Sequence, residues 1–246
     1  MTNKIINYLK KNEFRKLDLQ AVLFDMDGII YNSMPAHQLS WDKTIQEWGL
    51  KAKPNESFLE EGKPARLMIN ALFQRSVKRD ATNQEAEDFY KRKTELFFEY
   101  DKGMLIPGIK ETLKIIKDRK LKPILVTGSS QPGLYERLNN DLPNVFKPET
   151  MITAYDVKIG KPDPEPYLMG LKKAGNLTPN QAIVIENAPL GIASAHNAAI
   201  FTVAVNTGPL ENKVLIDSGA DLLMESLEEF NYKLPELLDI AKSTTI

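Results

Sequence analysis

Six short apolar runs, most of them separated by a helix-length stretch, constrain this chain more than any other feature. They are AVLF (21–24), KPILVT (122–127), MITA (151–154), AIVIEN (182–187), IFTVAV (200–205) and DLLM (221–224). A strand buried on both faces reads as a continuous apolar run, not as an alternating one, and strands that take turns with helices build parallel sheets. The fold class expected is therefore α/β, a doubly wound, Rossmann-like parallel sheet with helices on both faces. Between the first and second runs the pattern changes. HQLSWDKTIQEWGL (37–50), PARLMINALFQRSVKRD (64–80) and TNQEAEDFYKRKTELFFEY (82–100) read as amphipathic helices with no strand-like run between them. This predicts an all-helical insertion over residues 35–100 and a core made of 1–34 and 101–246. GMLIPGI (103–109), with Pro107 and Gly108, reads as the return loop and the start of the next core helix.

At 246 residues the chain is long enough to bury a sizeable core. Its 32 Lys and Arg against 33 Asp and Glu leave no basic footprint for nucleic acid and no polybasic patch for a membrane. The absence of cysteine excludes disulfides and thiolate chemistry. The opening MTNKIINYLKKNEFRKLDLQ mixes apolar and charged residues too often for a signal sequence, and no later run approaches the length of a membrane span. A cytoplasmic protein is expected. The stretch before Leu19 is amphipathic but has no role readable from the sequence.

The first apolar run continues as VLFDMDGIIYNSMPAH (22–37), two carboxylates and a glycine at the end of a buried strand. In an open parallel sheet the ligand crevice lies beyond the carboxyl ends of the strands. Asp25 and Asp27 then face that crevice, and Gly28 lets the backbone turn sharply. Like charges this close call for a compensating cation, and an all-oxygen donor set in a chain with two histidines favours Mg²⁺ over zinc or copper. Asp-x-Asp-Gly is also an ordinary turn after a strand. Three further strand ends bear on the choice. Thr127, Gly128, Ser129 and Ser130 form a hydroxyl-rich loop able to hold phosphate oxygens; Lys161 sits in a proline-stiffened turn, as either a fixed cation or a surface lysine; Glu186 and Asn187 close the fourth run.

Asp25-Met26-Asp27-Gly28, Thr127, Lys161 before Pro162, and Glu186-Asn187 resemble, in order and spacing, the four motifs of the haloacid dehalogenase superfamily. The helical insertion resembles the cap of the branch that contains beta-phosphoglucomutase and many small phosphatases. The resemblance implies that Asp25 is the nucleophile forming an aspartyl phosphate, and that Asp27 is the general acid and base, with its main-chain carbonyl on Mg²⁺. It also implies that Thr127 and Lys161 hold the phosphoryl group, with Gly128 and Ser129 nearby. The family ordinarily has an aspartate where this chain has Asn187, which removes a negative charge from the metal shell formed with Asp25 and Glu186. Glu61, in the cap stretch FLEEGKPAR, is the expected compensating ligand, brought in when the cap closes. Gly62, His37 and Lys93 are expected to contact the substrate.

Tyr31-Asn32-Ser33-Met34-Pro35, Glu61-Gly62-Lys63 and the ENAPLG segment at 186–191 are also similar to a bacterial inorganic pyrophosphatase branch of the superfamily. The activity expected is Mg²⁺-dependent phosphohydrolysis, of pyrophosphate first, by a monomer. The alternatives are a hexose-phosphate mutase, in which Arg66 and Lys93 would serve the sugar, a sugar or polyol phosphatase, and a non-catalytic phosphate-binding module.

Overall fold

The computed structural model describes residues 1–129 and 133–246, so the expectation placed on Ser130 lies outside the described residues. Among the described residues, six strands form one parallel sheet: β1 (Ala21–Phe24), β2 (Lys122–Val126), β3 (Met151–Ile152), β4 (Ala182–Glu186), β5 (Phe201–Val205) and β6 (Leu222–Met224), in the order β3-β2-β1-β4-β5-β6. β1 is flanked on both sides, with Phe24 in register with Leu125 of β2 and Ile185 of β4. The expected α/β doubly wound fold is what the chain adopts.

Alternate residues of β1 go to opposite faces, as the period of two requires. Val22 and Phe24 join a core with helices α1 (Thr2–Lys11), α6 (Ile109–Asp118), α7 (Leu134–Asp141) and α11 (Leu227–Ser243). Ala21 and Leu23 join a second core with α8 (Glu165–Lys173) and α9 (Pro189–Asn197). α8 comes close because of Gly170: a Cβ there would stand 2.8 Å from Leu23 Cδ2. The amphipathic opening stretch becomes α1, which buries Ile5, Tyr8 and Leu9 against the sheet.

Between β1 and α6 the chain is helical: α2 (Met34–Glu47), α3 (Glu56–Leu59), α4 (Ala65–Val77) and α5 (Asn83–Tyr100). α5 begins at a capping box, with Thr82 Oγ1 accepting from the Glu85 amide and the Glu85 carboxylate accepting from the Thr82 amide. Trp41, Leu72, Phe73 and Phe89 form the insertion's own core. Its two connections to the sheet run side by side: Asn32 N donates to Met104 O at 2.8 Å and Ile106 N to Ile30 O at 2.9 Å. Helix α10 (Asn212–Asp217) joins β5 to β6. No helix among the described residues is long and apolar enough to cross a membrane.

Candidate active site

Because β2, β1 and β4 are neighbours, their carboxyl ends bring Thr127, Asp25 and Glu186 together. Lys161 arrives from the loop between β3 and α8 and fills the gap: its Nζ donates to Asp25 Oδ1 at 2.6 Å and to Glu186 Oε1 at 2.7 Å, with all three residues buried. Burial pushes the Asp25 carboxyl up to about 7; Lys161 opposes this, and Glu186 and Asp27 add to it. Burial works to lower the Lys161 ammonium, yet Asp25 and Glu186 outweigh that and hold it well above its ordinary range.

Glu186, expected as a metal ligand, has both carboxylate oxygens hydrogen-bonded within the protein. Its Oε1 accepts from Lys161 and from the Tyr167 hydroxyl (2.9 Å), and its Oε2 accepts from the amides of Asn187 (2.8 Å) and Ala188 (2.9 Å). Both oxygens are spent orienting the lysine and the start of α9, and Gly191 leaves the space that the carboxylate occupies. Two buried oxygens nearby, Asp25 Oδ2 and Asn187 Oδ1, have no partner among the described residues. Among the described residues no three His, Asp or Glu side chains form a ready metal cluster. The buried unpartnered oxygens here are one carboxylate oxygen and one amide oxygen.

Gly28 has φ +90°, a conformation open to glycine and costly for other residues, and a Cβ there would lie 2.8 Å from Asn187 Cγ. The turn therefore packs Asn187 against the backbone next to the two acids. Asp27 belongs to a second network, reaching into the insertion. Its Oδ1 accepts from Ser33 Oγ at 2.5 Å and lies 3.4 Å from His37 Nε2, while His37 Nδ1 is 2.9 Å from Lys93 Nζ. Burial works to raise the Asp27 carboxyl, but the bonds from His37 and Ser33 and the charge of Lys93 hold it below its ordinary value. Asp25 and Asp27 are thus pushed apart, one towards the protonated form and one towards the carboxylate.

A cavity of about 680 Å³ opens beside Asp27 and Lys161 between insertion and sheet. Thr127, Gly128 and Ser129 line its floor; Gly62, Glu61, His37 and Lys93 line the opposite side. Gly62, at φ +87°, sits directly over the lysine, with room for a Cβ only 3.2 Å from Lys161 Cδ. Burial together with the charges of Asp25 and Glu186 raises the Glu61 carboxyl well above its ordinary value. Arg66 does not reach the cavity; its guanidinium donates to the carbonyls of Ala81 and Thr82, ahead of α5.

Sequence reasoning passed over several contributors. Ser33 immediately precedes Met34 and Pro35, a helix-start signal that could have suggested a hydroxyl close to Asp27. Trp41, Met68, Phe97 and Phe98, which form the apolar wall of the cavity, carry no signal that separates them from ordinary helix-packing residues.

The chain is similar to known proteins over most of its length. It is 29% identical over 218 residues to a phosphorylated carbohydrates phosphatase of Thermotoga maritima, covering 87% of this chain and 97% of that protein. It is 31% identical over 236 residues to 2-deoxyglucose-6-phosphate phosphatase 2 of Saccharomyces cerevisiae, covering 87% and 90%. A solved structure from Bacteroides vulgatus, provisionally described as a beta-phosphoglucomutase, superposes with a TM-score of 0.93 at 45% identity, covering 98% of each chain. Residues 19–199 match the family of haloacid dehalogenase-like hydrolases. That match runs from just ahead of β1 to just past α9, through every loop that builds the cavity floor, and the chain belongs to this hydrolase family.

Proposed function

We propose that the protein is a Mg²⁺-dependent phosphatase of small phosphorylated carbohydrates or polyols, acting through an aspartyl phosphate on Asp25. The observation that carries this reading is the shape of the cavity beside Asp27. Its wall of Trp41, Met68, Phe97 and Phe98 suits the carbon face of an organic leaving group, and Lys93 with His37 supplies polar contacts for hydroxyls. The curated relatives named above act on phosphorylated carbohydrates, which favours this alternative over the pyrophosphate expectation.

In the first half-reaction the Asp25 carboxylate attacks phosphorus in line, the bond to the leaving oxygen breaks, and Asp27 gives that oxygen a proton. In the second, Asp27 takes a proton from water as the water attacks the aspartyl phosphate and releases phosphate. The proton taken in one turnover is the one donated in the next. The bonds from Ser33 and His37, which favour the carboxylate, suit the second half. Lys161 and Thr127 hold the phosphoryl oxygens, and Lys161 screens Asp25 from the incoming anion. The unpartnered Asp25 Oδ2 and Asn187 Oδ1 are oxygen donors of the kind Mg²⁺ takes, so they would hold the ion with the Asp27 carbonyl, and Glu61 would join from the cap. Bound there, Mg²⁺ would neutralise charge on the transferring phosphoryl group.

Pyrophosphate remains a second reading because Glu61 lies in the field of Asp25, Glu186 and Asp27, where an acid penalises bulky organic groups. Phosphate release from hexose and polyol phosphates and from pyrophosphate, with and without Mg²⁺, decides. The expected result is a kcat/KM at least about tenfold higher for a sugar or polyol phosphate, lost about a thousandfold or more in Asp25→Asn. Preference for pyrophosphate that disappears in Glu61→Ala overturns the carbohydrate reading, and isomerisation without phosphate release identifies a mutase.

A further inference from the structure

We propose that Phe58 is a closure latch, a positioning residue that plugs the cap into the core and thereby seats Glu61 and Gly62 over Lys161; the proposal rests on the phosphatase reading above. Phe58 lies on α3, four residues of the insertion, yet its ring is not part of the insertion's own core. It is 6% exposed and shares a cluster with Met34 at the start of α2, Ile192 of α9, Ala204 of β5 and Leu210 and Leu215 around α10. The socket exists because residue 208 is glycine: a Cβ there would lie 3.2 Å from Phe58 Cδ1 and 3.3 Å from Cε1.

The latch connects at both ends to the site. On the cap side, Glu60 N donates to Glu56 O and Lys63 N to Glu60 O, so the turn carrying Glu61 and Gly62 is continuous with α3. Arg75 of α4 grips Glu56 with both terminal nitrogens, at 2.8 and 2.6 Å, and ties α3 to the rest of the insertion. On the core side, Gly208 follows Thr207, whose hydroxyl donates to Gly28 O at 2.7 Å, in the turn that holds Asn187. The apolar cluster around Phe58 therefore spans cap and core beside the nucleophile turn. Burying an aromatic ring is favourable and non-directional, which suits a contact that must form and release in each turnover.

The test uses the full chain and substitutes each side of the contact separately: Phe58→Ala and Phe58→Leu in the cap, and Gly208→Val in the core, where the backbone lies outside the left-handed region. Amide hydrogen exchange at residues 58–63 is measured in the presence of inorganic phosphate, alongside kcat and KM for the best substrate of the panel. Phe58→Ala and Gly208→Val are expected to speed exchange at 58–63 and raise KM about tenfold, while α4 and α5 stay protected and Phe58→Leu recovers part of the loss. Gly208→Val is decisive, because it alters the cap turn from the core side. Unchanged exchange at 58–63 in Gly208→Val, or exchange raised equally across α4 and α5, overturns the latch. If the unsubstituted chain releases phosphate from none of the panel, the phosphatase reading fails by itself and the exchange measurement alone decides the latch.

Discussion

Lys93 shows what a single residue contributes when its charge is buried. Its ammonium lies 4.9 Å from the Phe97 ring centre and 5.7 Å from that of Trp41, and burial pushes its pKa down to about 8 from an ordinary 10.5, against the pull of Asp27 and Glu61. Between these two values the unfolded chain keeps a proton that the folded chain releases, so this group's contribution to stability rises with pH across that window and is at its lowest below about 8. Lys93→Met is therefore expected to stabilise the fold by about 1–3 kcal/mol at neutral pH, an advantage that shrinks as the pH approaches 10. Urea unfolding of both proteins across that range checks it; a gain that stays constant with pH would rule out the charge as its source. The same substitution should raise KM, since Lys93 lines the cavity. That Lys93 lines the cavity accords with the leaving-group contact its resemblance implied. That it bonds His37, 56 positions away, was not, because no local pattern encodes a distance between two helices.

At the scale of elements, the opening helix is structural in a way the sequence left open. Ile5, Tyr8 and Leu9 recur at helical spacing and are buried; the Tyr8 ring meets Phe201 edge-on at 5.3 Å, and its hydroxyl donates to Ala199 O at 2.9 Å. Leu9→Ala is expected to cost about 2–5 kcal/mol of unfolding free energy by urea titration. A loss below about 0.5 kcal/mol, the range of surface substitutions, would mean that α1 is not part of the cooperative unit. The strands and the three long helices of the insertion were legible because each repeats one period long enough to be seen. α3 was not: four residues are too few to show a period of 3.6, and its Phe58 faces the core domain instead of its neighbours in sequence.

Across the whole molecule, three acids, Asp25, Glu186 and Glu61, converge on one buried lysine, and the mutual repulsion that raises Asp25 and Glu61 is what a divalent cation would relieve. Chelation is expected to abolish phosphate release and millimolar Mg²⁺ to restore it. Asn187→Asp, which adds the missing carboxylate, should tighten Mg²⁺ about tenfold in calorimetric titration of the metal-stripped protein. Affinity unchanged by that substitution would remove Asn187 from the shell. The sequence alone determined that the sheet is parallel and that Asp25, Thr127 and Glu186 meet at one end of it, because apolar runs define strands and a doubly wound sheet gathers their carboxyl ends on one edge. Only the tertiary structure decided how those groups divide the work: Glu186 holds Lys161, Ser33 and His37 hold Asp27, and aromatic helix faces become the wall of a cavity. Those roles depend on distances of a few ångströms between residues far apart along the chain, and only the packing of insertion against sheet sets them.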